Sequence, residues 1–374
     1  MKSIHGAASE IAKVVARLDN AVDLVISAHT HAAYNCSTNS VDVTGNSAAN
    51  KVATARPTGL PNKAGRLVPV TSASAFGRVL TEIDLMLDLR SRDVVSVSPN
   101  NLLVDRSNAT LTASVNANPA ARNLVAAYKT AVSPLASQVV GSITADLSNS
   151  AAATGEMQAG DLIADAQLQA TQAAALGGAV MAFMNAGGVR NPGFVKPAAA
   201  SFPYDLTYGD AFPVQPFGNS LVTLTLTAQQ IKDVLEQQFS GCLGQTANRI
   251  LQISNGLRYR WNTLGSCGNR IHALSFTPTD VMVVPPAVTG PADNLVINGV
   301  VQSPGKSYRV TLNNFMATGG DGFSTFLAGT QVLGGAQDID ALVAYLAAYK
   351  GAANTYNPAA AVLSKPRVST VALP

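Results

Sequence analysis

Two phenylalanines in glycine-containing loops are the side chains best suited to bind a flat aromatic ligand. Phe217 lies in residues 208–219, where two prolines and two glycines restrict the backbone and can hold one aromatic ring in a fixed pose. Phe315 lies in residues 314–323, which contain three glycines. Core packing is the usual interpretation of two such residues, but their placement in glycine-flanked loops, outside any helix or strand periodicity, favours a ligand-facing position.

Polar groups that can recognise a ligand stand in the same loops and in a third one. Residues 185–190 leave a buried apolar strand as a glycine turn that carries Asn185 and Arg190. Asn219 closes the loop that carries Phe217, and Asp321 follows two glycines, which allow a close approach of the backbone. Each loop lies next to a predicted strand and presents one or two recognition groups. Taken singly, each loop is a weak signal, because Gly-Gly-Asp in a turn is usually only a turn.

A pair of histidines forms a second candidate site nearer the N-terminus. His29 and His31 belong to the sequence Ser-Ala-His-Thr-His at positions 27–31, directly after an apolar segment at 22–26. Side chains two positions apart in extended backbone point the same way, so both imidazoles are predicted to face one side at the exit of a strand. The alternative interpretation is a pair of polar loop residues.

The elements that would position these residues are a mixture of helices and strands. Helices are predicted over 11–18, from 117 to 134, from 160, from a Thr227–Gln230 capping box, and over 338–350. Strands are predicted over 22–26, 67–72, 79–89, 94–98, 179–184 and 308–312, with a long loop over 37–65. Asn-Gly pairs at 255–256 and 298–299 predict hairpins. Asp161 and Asp165, one helical turn apart, are predicted to be helix-surface or capping groups.

The order of the three loops resembles the C-terminal domain of the metal-dependent 5′-nucleotidases from about residue 139 to the end. The histidine motif resembles the last metal-binding motif of the calcineurin-like metallophosphoesterases, usually Gly-His-Thr-His, with Ala28 in place of the glycine. The resemblance implies an α/β and α+β fold in three parts. These are the C-terminal part of a metallophosphoesterase α/β sandwich (1–112), a linker helix (113–138) and an α+β substrate-binding domain (139–374).

The resemblance also implies how a nucleotide would be held. The two phenylalanines would sandwich the base, and the carboxylate would accept hydrogen bonds from the ribose hydroxyls. The two amides would bind the base edge, and the guanidinium would bind on the sugar-phosphate side, where its planar fork can hold phosphate oxygens. The substrate-binding residues implied in this way are Asn185, Arg190, Phe217, Asn219, Phe315 and Asp321.

The implied activity is hydrolysis of a nucleoside monophosphate to a nucleoside and phosphate by two divalent metal ions. His29 and His31 are the implied metal ligands, and the sequence does not distinguish Zn, Mn, Mg or Ca. The other metal motifs and the catalytic histidine motif are absent from this sequence, and residues 148–156 lack the arginines that the family often places near the phosphates. We therefore identify no catalytic residue and expect an N-terminally truncated chain that is catalytically incomplete alone. The alternatives are a nucleotide-binding module without catalysis, or a hydrolase of 2′,3′-cyclic nucleotides or UDP-sugars.

The amino-acid composition limits the binding partners and the cellular compartments that are compatible with this chain. Of 374 residues, 47% are hydrophobic and 13% are charged, and the formal charge of +3 is spread along the chain without basic clusters. That distribution argues against a nucleic-acid polymer as partner. The longest apolar runs are far shorter than a membrane span. The low charge, with abundant Ala, Ser, Thr and Asn, indicates a periplasmic or secreted protein, although no signal peptide precedes the first helix. No pattern specifies an oligomeric state.

Three cysteines leave two interpretations open. Cys242 and Cys267 flank a predicted hairpin and can form a disulfide, which leaves Cys36 over. The alternative is three buried or incidental thiols.

Overall fold

The computed structural model describes residues 10–37, 59–105, 107–351, 353–360 and 366–373. The chain forms two compact units, Met1–Ala126 and Ala127–Pro374. Most of the predicted loop over 37–65 lies outside the described residues. The predicted domain boundaries at 112 and 138 stay a prediction.

The first unit combines several very short strands with one long antiparallel pair. In chain order they are α1 (Glu10–Val15), β1 (Val25–Ile26), β2 (Ala33–Cys36), β3 (Leu60–Pro61), β4 (Leu67–Val68), β5 (Val70–Ala73), β6 (Val79–Leu87), β7 (Val94–Leu103) and α2 (Ala109–Ala117). Strand β5 pairs in parallel with β1 and antiparallel with β2, while β3–β4 and β6–β7 are antiparallel pairs. The predicted strand over 67–72 is divided between β4 and β5, and the predicted strand over 22–26 is reduced to β1.

A longer helix, α3 (Pro119–Ala136), follows α2. It runs through Pro134, where the sequence predicted its end, and it has no buried side chain. Its apolar residues Val125 and Tyr128 are 54% and 67% exposed. Within the part of the chain that the structure describes, no helix combines the length and the apolar character that crossing a bilayer requires.

The second unit takes in the last ten residues of α3 and continues with β8. Its elements are β8 (Val139–Ile143), β9 (Leu147–Ser148), α4 (Gln158–Gln172), β10 (Met181–Met184), β11 (Gly193–Phe194), β12 (Tyr204–Thr207), α5 (Tyr208–Ala211), β13 (Ser220–Thr227), α6 (Ala228–Gln237), β14 (Gln252–Ile253), β15 (Leu257–Asn262), β16 (Ile271–Phe276), β17 (Thr279–Asp280), β18 (Ala287–Val288), β19 (Asp293–Ile297), β20 (Val300–Val301), β21 (Ser307–Asn313), α7 (Asn314–Ala317), β22 (Thr330–Gln337), α8 (Asp338–Ala347) and β23 (Val368–Val371). This mixture of helices and sheets confirms the predicted α/β and α+β class.

The centre of this unit is a five-stranded sheet in the order β14-β10-β21-β13-β22. Strands β10 and β21 are parallel, and β13 is antiparallel to both β21 and β22. Alternate residues of β10 enter two different cores. Phe183 packs with helix α6 and the second sheet, β20-β19-β16-β15-β23, whereas Met184 packs with helices α4 and α8. Both faces of β10 are therefore covered, which explains why its four residues are all apolar and buried.

Two of the local sequence signals are confirmed, and a third is wrong. Thr227 and Gln230 form the predicted capping box at the start of α6. The Asn-Gly pair at 298–299 joins β19 to β20, and both of its residues have the positive φ that this hairpin turn requires. The pair at 255–256 forms no hairpin, because β14 and β15 belong to different sheets. Asn255 is buried there, and its backbone N–H donates to Asp165 Oδ1 at 2.6 Å.

A buried ion pair ties the C-terminal strand to helix α4. Arg367 donates to both carboxylate oxygens of Asp165, at 2.8 and 2.7 Å, and to the carbonyl of Ile253 at 2.7 Å. Both charged side chains are 0% exposed. The prediction that Asp161 and Asp165 lie on the helix surface is wrong, since both are fully buried. The sequence around Asp165 does not indicate this burial, because the arginine that pairs with Asp165 lies 202 residues further along the chain.

Replacing Arg367 with methionine is expected to lower the free energy of unfolding by about 3–5 kcal/mol, because it leaves the Asp165 carboxylate buried without its charged partner. Urea unfolding followed by circular dichroism measures the change. Lys306→Met is the matched control, because Lys306 pairs with Asp293 at 2.5 Å on the surface and its loss should cost at most about 1 kcal/mol. Equal effects of the two substitutions would contradict the anchoring role of Arg367.

Candidate functional site

The three predicted loops meet at one edge of the central sheet. Residues 185–190 follow the end of β10, and residues 314–323 follow the end of the parallel strand β21. Residues 216–219 precede the start of β13, which runs antiparallel to β21 with Leu221 opposite Asn313. An antiparallel strand begins at the edge where its neighbour ends, so the topology brings the three loops together.

A hydrogen-bonded chain of polar side chains connects the first loop to the third. Asn185 donates from Nδ2 to Asp321 Oδ2 at 2.8 Å, and its Oδ1 accepts from Asn313 Nδ2 at 3.0 Å. Asn185 is 5% exposed. Its amide therefore fixes the position of the Asp321 carboxylate, and the contact that it would make with a ligand stays a prediction.

A cation–π contact connects the first loop to the second. The guanidinium carbon of Arg190 lies 5.6 Å from the centroid of the Phe217 ring, and Arg190 Nη1 donates to the carbonyl of Gly187 at 3.3 Å. Phe217 remains 53% exposed. A ring with a cation beside it and half of its surface free can still offer a face to another aromatic group.

The third loop packs its backbone against the second ring. Phe315 lies in the short helix α7, whose N-cap residue Asn313 accepts from the Met316 N–H at 2.9 Å, and the ring is 45% exposed. A Cβ atom at Gly320 would lie 2.5 Å from the Phe315 carbonyl oxygen and 2.6 Å from its ring atoms. Glycine is therefore required at this position for the backbone to support the ring. The next residue, Asp321, has a left-handed backbone with φ of 56°.

Asn219 is held by a residue that the sequence reasoning missed. Its Nδ2 donates to Asp338 Oδ2 at 3.2 Å, and the Asp338 N–H donates to the Asn219 carbonyl at 2.8 Å. Asp338 is 1% exposed. Burial raises the pKa of its carboxyl above the usual value, although hydrogen bonds from Asn219 and the local backbone oppose the change. The start of α8 therefore fixes the loop that carries Phe217.

Two further residues that the sequence reasoning missed support Asp321. Arg249 Nη1 lies 3.0 Å from Asp321 Oδ1, and Gln245 Nε2 donates to the Asp321 carbonyl at 3.0 Å. Both belong to the segment after α6, which the disulfide between Cys242 and Cys267 ties to the segment between β15 and β16. Of the two interpretations that the sequence left open for the cysteines, the structure shows the Cys242–Cys267 pairing, and Cys36 is buried. No local pattern could have revealed these contacts, since the two residues lie 72 and 76 positions from Asp321.

The predicted geometry of the histidine pair is wrong. His29 and His31 have φ angles of 71° and 57°, so the backbone is not extended, and both side chains are exposed. The His31 ring instead makes an edge-to-face contact with Phe76, with ring centroids 5.4 Å apart. Strand β1 ends at Ile26, three residues before the first histidine.

The described residues do not provide a complete site for two metal ions. In those parts of the chain, no group of three or more histidine, cysteine, aspartate or glutamate side chains could hold an ion. Two-metal sites that hydrolyse phosphoesters clamp both the attacking and the leaving oxygen, which requires ligands around each ion. Two exposed imidazoles do not meet that requirement.

Comparison with known proteins finds a family profile and several relatives that match this chain. The sequence profile of the family described as the 5′-nucleotidase C-terminal domain matches residues 139–328. Endonuclease YhcR of Bacillus subtilis is 24% identical over 91% of this chain and 22% of its own length. The trifunctional nucleotide phosphoesterase protein YfkN of the same organism is 29% identical over 69% of this chain and 15% of its own length. The chain thus spans less than a quarter of either relative.

A solved structure also resembles the chain over nearly its whole length. The 5′-nucleotidase precursor from Thermus thermophilus has a TM-score of 0.57 and 25% sequence identity, covering 98% of this chain and 62% of that structure.

Replacing Gly320 with alanine is expected to destabilise the second unit by about 1–3 kcal/mol, because the new methyl group must displace the Phe315 ring or its backbone. Thermal unfolding measures the change. Gly305→Ala is the control, since a Cβ at that position meets no atom within 4 Å and its φ is not in the left-handed region. If both variants melt at the wild-type temperature, the close packing of Gly320 against Phe315 is not present in solution.

Proposed function

The chain belongs to the 5′-nucleotidase C-terminal domain family, and from that premise we propose that its second unit binds a nucleotide with the base stacked between Phe217 and Phe315. The meeting of three loops at one sheet edge, linked by the Asn185–Asp321 hydrogen bond and the Arg190–Phe217 contact, is the observation that carries this proposal. A base has two π-faces, and stacking on an aromatic side chain contributes about 1–3 kcal/mol.

The polar groups around the rings suit the other parts of a nucleotide. An ionised carboxylate offers about four acceptor positions. The Asp321 oxygens use one each for Asn185 and Arg249, which leaves capacity for the ribose hydroxyls. Arg190 donates one hydrogen bond to Gly187 and retains further N–H donors for a phosphate group. The Asn219 amide, fixed by Asp338, is the proposed contact to the base edge together with Asn185.

We extend the proposal to the domain organisation and the reaction. Residues 1–112 would be the C-terminal part of a metallophosphoesterase domain, 113–138 a linker, and 139–374 the substrate-binding domain. The complete reaction would convert a nucleoside monophosphate to a nucleoside and phosphate with two divalent metal ions. His29 and His31 would contribute to that metal site together with ligands from elsewhere. Relatives named as a nucleotide phosphoesterase and as human 5′-nucleotidase support this reaction class.

The second candidate function is nucleotide binding without hydrolysis by this chain. The donor set favours it, because His29 and His31 belong to no group of three or more metal-ligating side chains among the described residues. We also propose a periplasmic or secreted location, which the Cys242–Cys267 disulfide supports, since disulfides persist in oxidising compartments.

Calorimetric titration with AMP tests the binding site. Phe217→Ala and Phe315→Ala are each expected to weaken binding about 5–150-fold, which corresponds to the loss of one stacking face. Phe202→Ala is the matched control, because Phe202 is also a partly exposed phenylalanine with a cation over its ring, Lys196 at 5.3 Å, but lies outside the three loops. Wild-type affinity in both loop variants would refute the stacking site.

A phosphate-release assay with AMP and Mn²⁺ or Zn²⁺ separates the two candidate functions. The isolated chain is expected to bind AMP without release above background, because two exposed histidines do not form a two-metal site. Turnover that disappears in His29→Ala and His31→Ala would instead show that this chain hydrolyses the nucleotide and would exclude the binding-only candidate.

A further inference from the structure

We propose that Arg249 is a positioning residue that orients the Asp321 carboxylate and thereby makes the site discriminate ribose from 2′-deoxyribose. This inference rests on the proposed nucleoside-binding function and adds a determinant of sugar specificity to it. Arg249 lies outside the three loops that carry the predicted ligand-binding residues.

The two oxygens of Asp321 are held by two different partners. Oδ1 lies 3.0 Å from Arg249 Nη1, and Oδ2 accepts from Asn185 Nδ2 at 2.8 Å. One contact on each oxygen fixes the rotation of the carboxylate plane, which a single contact would not do. The Asp321 side chain is 18% exposed and that of Arg249 is 39% exposed, so the carboxylate keeps an accessible side.

The segment that carries Arg249 holds the backbone of Asp321 as well. Gln245 Nε2 donates to the Asp321 carbonyl at 3.0 Å, and Gln245 is 4% exposed. Asp321 has a left-handed backbone, which an aspartate adopts less readily than a glycine, and the following Gly322 also has a positive φ. The same short segment therefore fixes both the unusual backbone and the side chain of this residue.

That segment has its own rigid attachments to the core. The Arg249 N–H donates to the Gln238 carbonyl at 2.7 Å, and Gln237 Nε2 donates to the Leu243 carbonyl at 2.9 Å. Cys242 is bonded to Cys267, with Cα atoms 5.1 Å apart. A guanidinium carried by a segment that is fixed in this way can hold a carboxylate in one orientation. Little further side-chain freedom is then lost when a ligand binds.

A fixed carboxylate can accept hydrogen bonds from both hydroxyls of a ribose. A hydrogen bond to a charged group is stronger than one between neutral groups, so the loss of one hydroxyl in 2′-deoxyribose should weaken binding about 10-fold or more. A carboxylate that rotates freely would gain less from the second hydroxyl. Loss of Arg249 should therefore affect the ribonucleoside more than the deoxyribonucleoside.

Calorimetric titration with adenosine and with 2′-deoxyadenosine tests the inference. The wild-type protein is expected to prefer adenosine about 10-fold. Arg249→Met should reduce that preference to about 1–2-fold, mainly through weaker adenosine binding, and Arg249→Lys should restore part of it because the positive charge remains. Arg66→Met is the matched control, since Arg66 forms a 2.9 Å ion pair with Asp23 at 41% exposure in the first unit and should leave the preference unchanged.

The outcomes distinguish this inference from the function on which it rests. If the wild-type protein binds neither nucleoside, the proposed function and this inference both fail. If it binds both nucleosides equally, nucleoside binding stands and the sugar contact of Asp321 is wrong. If Arg249→Met weakens both ligands by the same factor, or keeps the wild-type preference at an unchanged melting temperature, Arg249 does not position the carboxylate. If Arg249→Met does not fold, the Arg249→Lys variant tests the inference instead. A preference for adenosine that is weaker than in the wild-type protein supports it, and an unchanged preference contradicts it.

Discussion

The pairing of β10, β21 and β13 is the constraint on which the candidate site depends. The first and third loops leave two parallel strands, and the second loop enters a strand antiparallel to them, so all three meet at one edge. Packed apolar side chains cover both faces of β10 and one face of its neighbours β21 and β13. A slip of one residue would exchange the side chains of the two cores, for example Phe183 and Met184, so packing on both faces fixes the register and the relative position of the loops.

The residues that support the candidate site are more deeply buried than the residues that would touch a ligand. The rings of Phe217 and Phe315 are about half exposed, whereas Asn185, Gln245 and Asp338 are at most 5% exposed. Each of these buried polar residues hydrogen-bonds to a residue of the three loops. Such bonds are stronger away from water, and they hold exposed groups in place without occupying their free surfaces. The loops are thus rigid where they meet the core and accessible at the edge of the sheet.

The sequence predicted the features that depend on neighbouring residues and missed those that depend on distant ones. The helix that begins at the Thr227 capping box and the hairpin at 298–299 follow from local backbone chemistry, and both are present. The Asn-Gly pair at 255–256 carries the same local signal, but the contact of Asn255 with Asp165 overrides it. The contacts of Arg249 and Arg367 join positions 72 and 202 residues apart, and one sequence without relatives contains no trace of such pairings.

The charges at the site differ between its two ends. At one end, Arg249 pairs with Asp321, so the positive charge of the arginine compensates the carboxylate that would face a sugar. At the other end, Arg190 contacts a backbone carbonyl and the face of Phe217, and neither contact neutralises its charge. An unpaired carboxylate would repel a phosphate carried by the same ligand, since like charges in a partly buried site interact strongly. With the proposed nucleotide bound, the Arg249–Asp321 pair would reduce that repulsion, and Arg190 would supply a positive charge for an anionic group attached to the sugar.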